Sequence, residues 1–119
     1  DNHLTGIVNL KEQLNKSISR VKASKEISFV EIEVDSLDQL KQIIELDIDI
    51  ILLDNMTIDQ ITQAVAIRDF STNKPLLEAS GGVTIDQVNA IAKTGVDRIA
   101  IGGLTHQATW LDFGLDVHE

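Results

Sequence analysis

Cysteine and tyrosine are missing from this chain, and proline, methionine and tryptophan occur once each. Without cysteine there are no disulfides and no thiolate metal sites, a composition that fits a cytoplasmic chain. Trp110 is the only tryptophan, so there is no aromatic platform on which nucleic-acid bases would stack. No apolar run approaches the roughly 20 residues that span a bilayer. The polar opening Asp1-Asn2-His3 is not a signal pattern. Positive charge is scarce as well: 10 Lys and Arg stand against 19 Asp and Glu, a formal net charge of −9. Such a surface repels nucleic acid and argues against an anionic membrane. If the ligand is itself anionic, positive charge must come from a metal, another segment or another chain.

What is present is a four-fold repeat. Ser36, Thr57, Thr84 and Thr105 each follow a short apolar run, and three residues before them stand Glu33, Asp54, Gly81 and Gly102. The apolar spacing of Leu10, Leu14, Ile18 and Val21 predicts a helix. Ser28 to Val34, Ile48 to Leu53, a run opened by Pro75, and Val96 to Ile101 read as strands. Ser36-Leu37-Asp38-Gln39, Thr57-Ile58-Asp59-Gln60 and Thr84-Ile85-Asp86-Gln87 are capping boxes, each predicted to open a helix. The third helix should end near Thr94, with Gly95 as a left-handed cap. Gly102-Gly103-Leu104-Thr105 should turn into a last short helix or loop. The fold class is therefore α/β: parallel βα repeats of about four strands in one domain. Four strands cannot close a barrel, so the expectation is an incomplete (β/α) barrel, with a small open sheet as the alternative.

In such folds ligands bind at the carboxyl ends of the strands. The capping role already belongs to Ser36 and Thr57, which leaves Glu33 and Asp54 without a structural task. Two carboxylates at adjacent strand ends suit Mg2+, which takes one or two carboxylates plus waters and ligand phosphates. Glu31 shares the strand face of Glu33, and Glu78 either points inward or accepts a hydrogen bond from the following turn. Ser80-Gly81-Gly82 before a capped helix is a phosphate cradle, since glycine lets backbone N–H groups approach an anion. Gly102-Gly103 offers a second wall. His106 and His3 are rim candidates, and His118 near the terminus is solvated.

The motifs Asp1-Asn2-His3, Glu31-Ile32-Glu33-Val34, Leu53-Asp54-Asn55-Met56, Leu77-Glu78-Ala79-Ser80-Gly81-Gly82, Thr94-Gly95-Val96-Asp97 and Leu104-Thr105-His106 occur in order. With the ending Leu111-Asp112-Phe113-Gly114-Leu115-Asp116, they make the chain resemble the quinolinate phosphoribosyltransferases from Asp1 to Val117. The resemblance implies transfer of the phosphoribosyl group of phosphoribosyl pyrophosphate (PRPP) to quinolinate, with release of pyrophosphate and CO2. The product is nicotinate mononucleotide, made in NAD biosynthesis. It further implies a need for Mg2+ and a cytoplasmic homodimer in which the partner's amino-terminal sandwich domain closes the barrel mouth. Residues 1–119 would be the carboxyl-terminal part of the barrel, without that sandwich domain. By position, Glu33 and Asp54 would approach the ribose hydroxyls and metal of PRPP, and Ser80, Gly81, Gly82, Gly102 and Gly103 would hold a phosphate, with His106 nearby. The family's lysine before Asp1 and the cations that grip quinolinate lie upstream of this chain. Gly103 stands where alanine is usual and Asp47 where glycine is common. Two other readings are a non-catalytic half-barrel that binds phosphate or is merely structural, and a barrel relative linked to molybdenum transport.

Overall fold

The computed structural model describes residues 2–23 and 29–109, with 2–10 and 21 described by backbone only. The chain runs α1 (Asn2–Ala23), β1 (Glu31–Val34), α2 (Leu37–Ile43), β2 (Ile50–Asp54), α3 (Ile58–Phe70), β3 (Leu76–Ser80), a 3₁₀ turn (Ile85–Gln87), α4 (Val88–Ala92), β4 (Arg98–Ile101) and β5 (Leu104–Gln107). Strands β1 to β4 are parallel and lie side by side in chain order. Right-handed crossovers in unreversed order set every helix on the same face of the sheet, the arrangement expected for part of a barrel.

The capping sequences act as their side chains dictate. Ser36 Oγ accepts from Gln39 N at 3.2 Å, while Gln39 Oε1 accepts from the N–H of Asp35. At α3 the box is reciprocal: Thr57 Oγ1 accepts from Gln60 N at 3.1 Å and Gln60 Oε1 from Thr57 N at 2.9 Å. At the third box Gln87 Oε1 accepts from Thr84 N, but the turn it opens is 3₁₀ and the helix after it has only five residues. Gly95 takes the left-handed geometry its position requires, with φ +96. The first helix is longer than its apolar spacing indicates, and begins at Asn2.

The last element departs from expectation. Gly102 and Gly103, at φ +56 and +80, form a two-residue hairpin, and β5 returns antiparallel along β4. Two consecutive left-handed glycines give the tight turn whose twist matches paired strands. The four-fold repeat thus misleads at its fourth member: Thr105 lies within a strand rather than capping a helix.

Strand alternation divides the sheet. Val34, Ile51, Leu53, Leu77, Ala79, Ile99 and Ile101 are buried on one face against Leu40, Ile43, Ile61, Ala64, Val65, Val88 and Ile91 of the helices. By register the opposite face carries Glu31, Glu33, Leu52, Asp54, Glu78, Ser80, Arg98 and Ala100. That face would be the barrel interior.

Charged groups fasten the amino ends of the strands. The guanidinium of buried Arg68 donates to Asp97 Oδ2 at 2.6 Å, Asp69 Oδ1 at 2.7 Å and the carbonyl of Pro75 at 3.1 Å. Asp97 Oδ2 also accepts from Leu77 N. Lys22 at the end of α1 pairs with Asp49 at 2.8 Å, and the same oxygen accepts from Val30 N. Glu45 accepts from the N–H groups of Thr72 and Asn73.

Candidate functional site

The acids that the repeat singles out come together at the opposite end of the sheet. Glu33 sits one residue before the end of β1, and Asp54 ends β2 on the same face. The neighbouring Asp54 carboxyl, by hydrogen bonding first and charge repulsion second, holds the Glu33 carboxyl above its usual range, and the Asp35 charge adds to this. Two carboxylates this close repel each other when both are ionised, a repulsion that a divalent cation between them would remove.

Asp54 is aligned with Ser80, and the N–H of Asn55 donates to the Ser80 carbonyl at 2.9 Å. The β3 loop then passes so close that a Cβ on Gly81 would lie 2.3 Å from Asp54 Oδ1 and 2.9 Å from Asn55 N. Gly81 and Gly82 are both left-handed, at φ +79 and +71. Only glycine tolerates both the approach and the dihedral at Gly81. The acidic pair and the glycine turn are therefore one surface. The helix behind this turn is short, so the turn's own backbone, more than a long helix terminus, presents N–H groups to an anion.

Below the rim, Glu78 is only 6% exposed and lies between Leu52 and Arg98 in the register. Burial, with repulsion from Glu31, raises its carboxyl above the usual range; Arg98 and a hydrogen bond from the Thr105 hydroxyl partly offset this. Glu78 thus points to the barrel interior, the first of the two orientations its sequence allows.

The remaining candidates lie at the end of β4, level with the Gly81–Gly82 turn in the parallel register, on the edge strand and in α1. Gly102 and Gly103 form the β4–β5 hairpin, so their left-handed dihedrals already have a structural reason. His106 pairs with Ile99, on the helix side of the edge strand and across the sheet from Glu33 and Asp54. His3 falls in the first turn of α1, and its side chain lies outside the described residues, as do Asp1, Trp110 and His118. Three contributors escaped the sequence reading: Asn55, Arg98 and Thr105. Arg98 was legible as a residue on the Glu78 face; Thr105 was masked by its apparent capping position.

The donor set fits Mg2+. Glu33 is exposed and Asp54 half-buried at adjacent strand ends. Among the described residues no group of three or more His, Cys, Asp or Glu could enclose a metal. Two carboxylates open to water suit an ion that keeps its waters and takes ligand phosphates, and not a closed zinc cage.

A mostly parallel sheet wound in one direction, with helices on one face and acids beside a glycine turn at its carboxyl ends, is the architecture of part of a (β/α) barrel. Residues 1–116 match the family model for the quinolinate phosphoribosyl transferase C-terminal domain, and the chain belongs to that family. It is 38% identical over 117 residues to the nicotinate-nucleotide pyrophosphorylase [carboxylating] of Mycobacterium leprae, covering 98% of this chain and 40% of that protein. It is 39% identical over 121 residues to a probable nicotinate-nucleotide pyrophosphorylase [carboxylating] of Methanocaldococcus jannaschii, covering 98% and 41%. A solved nicotinate-nucleotide pyrophosphorylase from Ehrlichia chaffeensis superposes with a TM-score of 0.63 at 38% identity, covering 86% of this chain and 35% of that one. The chain spans about two fifths of the length of these curated relatives.

Proposed function

We propose that the protein carrying this chain transfers the phosphoribosyl group of PRPP to quinolinate and yields nicotinate mononucleotide, pyrophosphate and CO2, in NAD biosynthesis. The bond from the anomeric carbon to pyrophosphate breaks, a bond from that carbon to the quinolinate nitrogen forms, the carboxylate beside the nitrogen leaves as CO2, and the ring carbon it leaves keeps the electron pair and takes up a proton from solvent. The observation that carries this reading is the Glu33–Asp54 pair, on one face at adjacent strand ends, with Asp54 set directly against the Gly81 turn. An acid pair for metal and ribose hydroxyls, beside a glycine cradle for phosphate, is what a phosphorylated sugar pyrophosphate requires.

In this mechanism Glu33 and Asp54 hold the metal and the ribose hydroxyls, and their negative charge favours the positive charge that develops at the anomeric carbon. Bound Mg2+ supplies neutralisation of the leaving pyrophosphate. Ser80, Gly81 and Gly82 hold a phosphate through backbone N–H groups. Glu78, with Arg98 and Thr105, lines the interior face below. Quinolinate and PRPP are both anionic, and a chain of net charge −9 does not offset them alone. The reading therefore includes cations from the rest of the polypeptide and a cytoplasmic homodimer whose partner subunit closes the mouth.

The test is formation of nicotinate mononucleotide from PRPP and quinolinate by the protein carrying this chain, compared with Asp54→Ala. The expected loss of turnover is on the order of 100-fold or more. Full turnover by the variant would refute the role given to Asp54; no product from the unaltered protein would refute the activity.

A further inference from the structure

We propose that Asn55 is a positioning residue whose left-handed backbone, rather than its side chain, docks the loop after β2 onto the loop after β3 and so holds Asp54 against the glycine turn. The inference deepens the metal and phosphate reading above and rests on it. Among the described residues Asn55 is the non-glycine residue with positive φ, at +57. The left-handed region is disfavoured for an ordinary side chain because its Cβ crowds the backbone, and asparagine is among the few that enter it readily. Such a conformation persists where the surroundings demand it, and it clusters at functional sites.

Here the demand is visible. The Asn55 N–H donates to the Ser80 carbonyl at 2.9 Å, one residue beyond the last strand pair, Asp54 with Ser80. The same nitrogen lies 2.9 Å, and the Asn55 Cα 3.4 Å, from where a Gly81 Cβ would sit. The backbone of Asn55 therefore forms the floor on which the glycine turn rests. The side chain is exposed, and its Oδ1 is at an ordinary contact distance of 3.8 Å from a Cβ built on Gly82. If the backbone is what matters, glycine will replace Asn55 and alanine will not. This order reverses the usual preference, because alanine carries a Cβ into the left-handed region and glycine does not.

The experiment titrates Mn2+ alone into the protein carrying this chain, following free Mn2+ by electron paramagnetic resonance, for the wild type, Asn55→Ala, Asn55→Gly and Asp54→Ala. Asn55→Ala is expected to bind about tenfold more weakly, the scale of a lost supporting contact at a metal site. Asn55→Gly should match the wild type. Equal losses in the two Asn55 variants would mean the amide side chain acts directly, and no loss in either would mean the position is indifferent; both overturn the proposal. Asp54→Ala that binds as the wild type refutes the metal reading instead. Hydrogen exchange then decides on Asn55 by itself: the residue-55 amide should lose protection in Asn55→Ala and keep it in Asn55→Gly, with the Leu77 amide unchanged in both. Retained protection in Asn55→Ala refutes the docking role.

Discussion

Replacing Gly81 by alanine tests how closely the two rim loops are packed, and the structure supplies its own controls. Gly81, Gly82 and Gly103 have similar dihedrals, at φ +79, +71 and +80. A Cβ on Gly103 would meet nothing within 4 Å, and one on Gly82 would meet only Asn55 Oδ1 at 3.8 Å. Alanine at either place therefore costs only the left-handed backbone, about 1–2 kcal/mol. At Gly81 the same cost is joined by overlap with Asp54 Oδ1 at 2.3 Å and with the backbone nitrogen of Asn55 at 2.9 Å. The carboxylate can swing aside, but the nitrogen is fixed by its bond to the Ser80 carbonyl. Forced repacking of this kind adds about 1–3 kcal/mol, so Gly81→Ala should cost about 2–5 kcal/mol in all. Urea denaturation followed by circular dichroism measures each variant, and an unchanged m-value shows that stability alone has moved. Asp54 is displaced in the process, so Mn2+ affinity should fall in Gly81→Ala and stay level in Gly103→Ala. A Gly81→Ala protein as stable as Gly82→Ala, with metal affinity intact, would show that the loops are not in contact.

Two further outcomes concern the rest of the sheet. Arg68→Ala should destabilise by about 3 kcal/mol, at the low end of the range for a broken buried pair because Asp97 keeps some water contact, and Arg68→Lys should recover little of it, since one ammonium cannot reach Asp97, Asp69 and Pro75 together; a neutral Arg68→Ala in the same urea assay would refute the bolt. The pH dependence of stability should carry two opposite signs. Asp49, held below its usual range chiefly by Lys22, contributes stability above its unfolded value that is lost as pH falls through its folded value, whereas Glu78, held above its range by burial, costs stability as pH rises from its unfolded to its folded value. Glu78→Gln should therefore be at least as stable as the wild type near pH 7 and lose that advantage toward the ordinary glutamate range of about 4.3; a variant equally destabilised at every pH would contradict this.

The parts of the fold that local chemistry decides were legible in the sequence. Three capping boxes located the starts of α2, α3 and the 3₁₀ turn, and short apolar runs, the first weakly alternating and the second nearly unbroken, located the strands. The acid pair was legible because Ser36 and Thr57 already served as caps, leaving Glu33 and Asp54 to be explained otherwise. What escaped depended on pairing between distant segments. Gly102-Gly103 followed by threonine reads like the other strand-to-helix turns, and only the partner strand decides that it is a hairpin. His106 was assigned by its position in that turn, and the antiparallel register sends it to the other face. Asn55 carries no local mark apart from tolerance of left-handed geometry; its importance comes from Gly81, 26 residues on.

The two ends of the sheet treat charge differently, and the contrast bears on function. At the amino ends Arg68 and Lys22 are matched to Asp97, Asp69 and Asp49, and Glu45 is satisfied by backbone N–H groups. Those charges stabilise the fold and have no need of a ligand. At the carboxyl ends, among the described residues, no ion pair reaches Glu33 or Asp54. The closeness of Asp54, through hydrogen bonding and then repulsion, raises the Glu33 carboxyl. A chain with 10 cations and 19 acids thus pairs two of its cations, Lys22 and Arg68, where the strands begin and leaves the acid pair open where they end. Selection for stability alone would separate or neutralise such a pair, because like charges in contact weaken the folded state. Its retention beside a backbone cradle is understandable if the missing positive charge arrives with the ligand, as a metal carried into the site by phosphate.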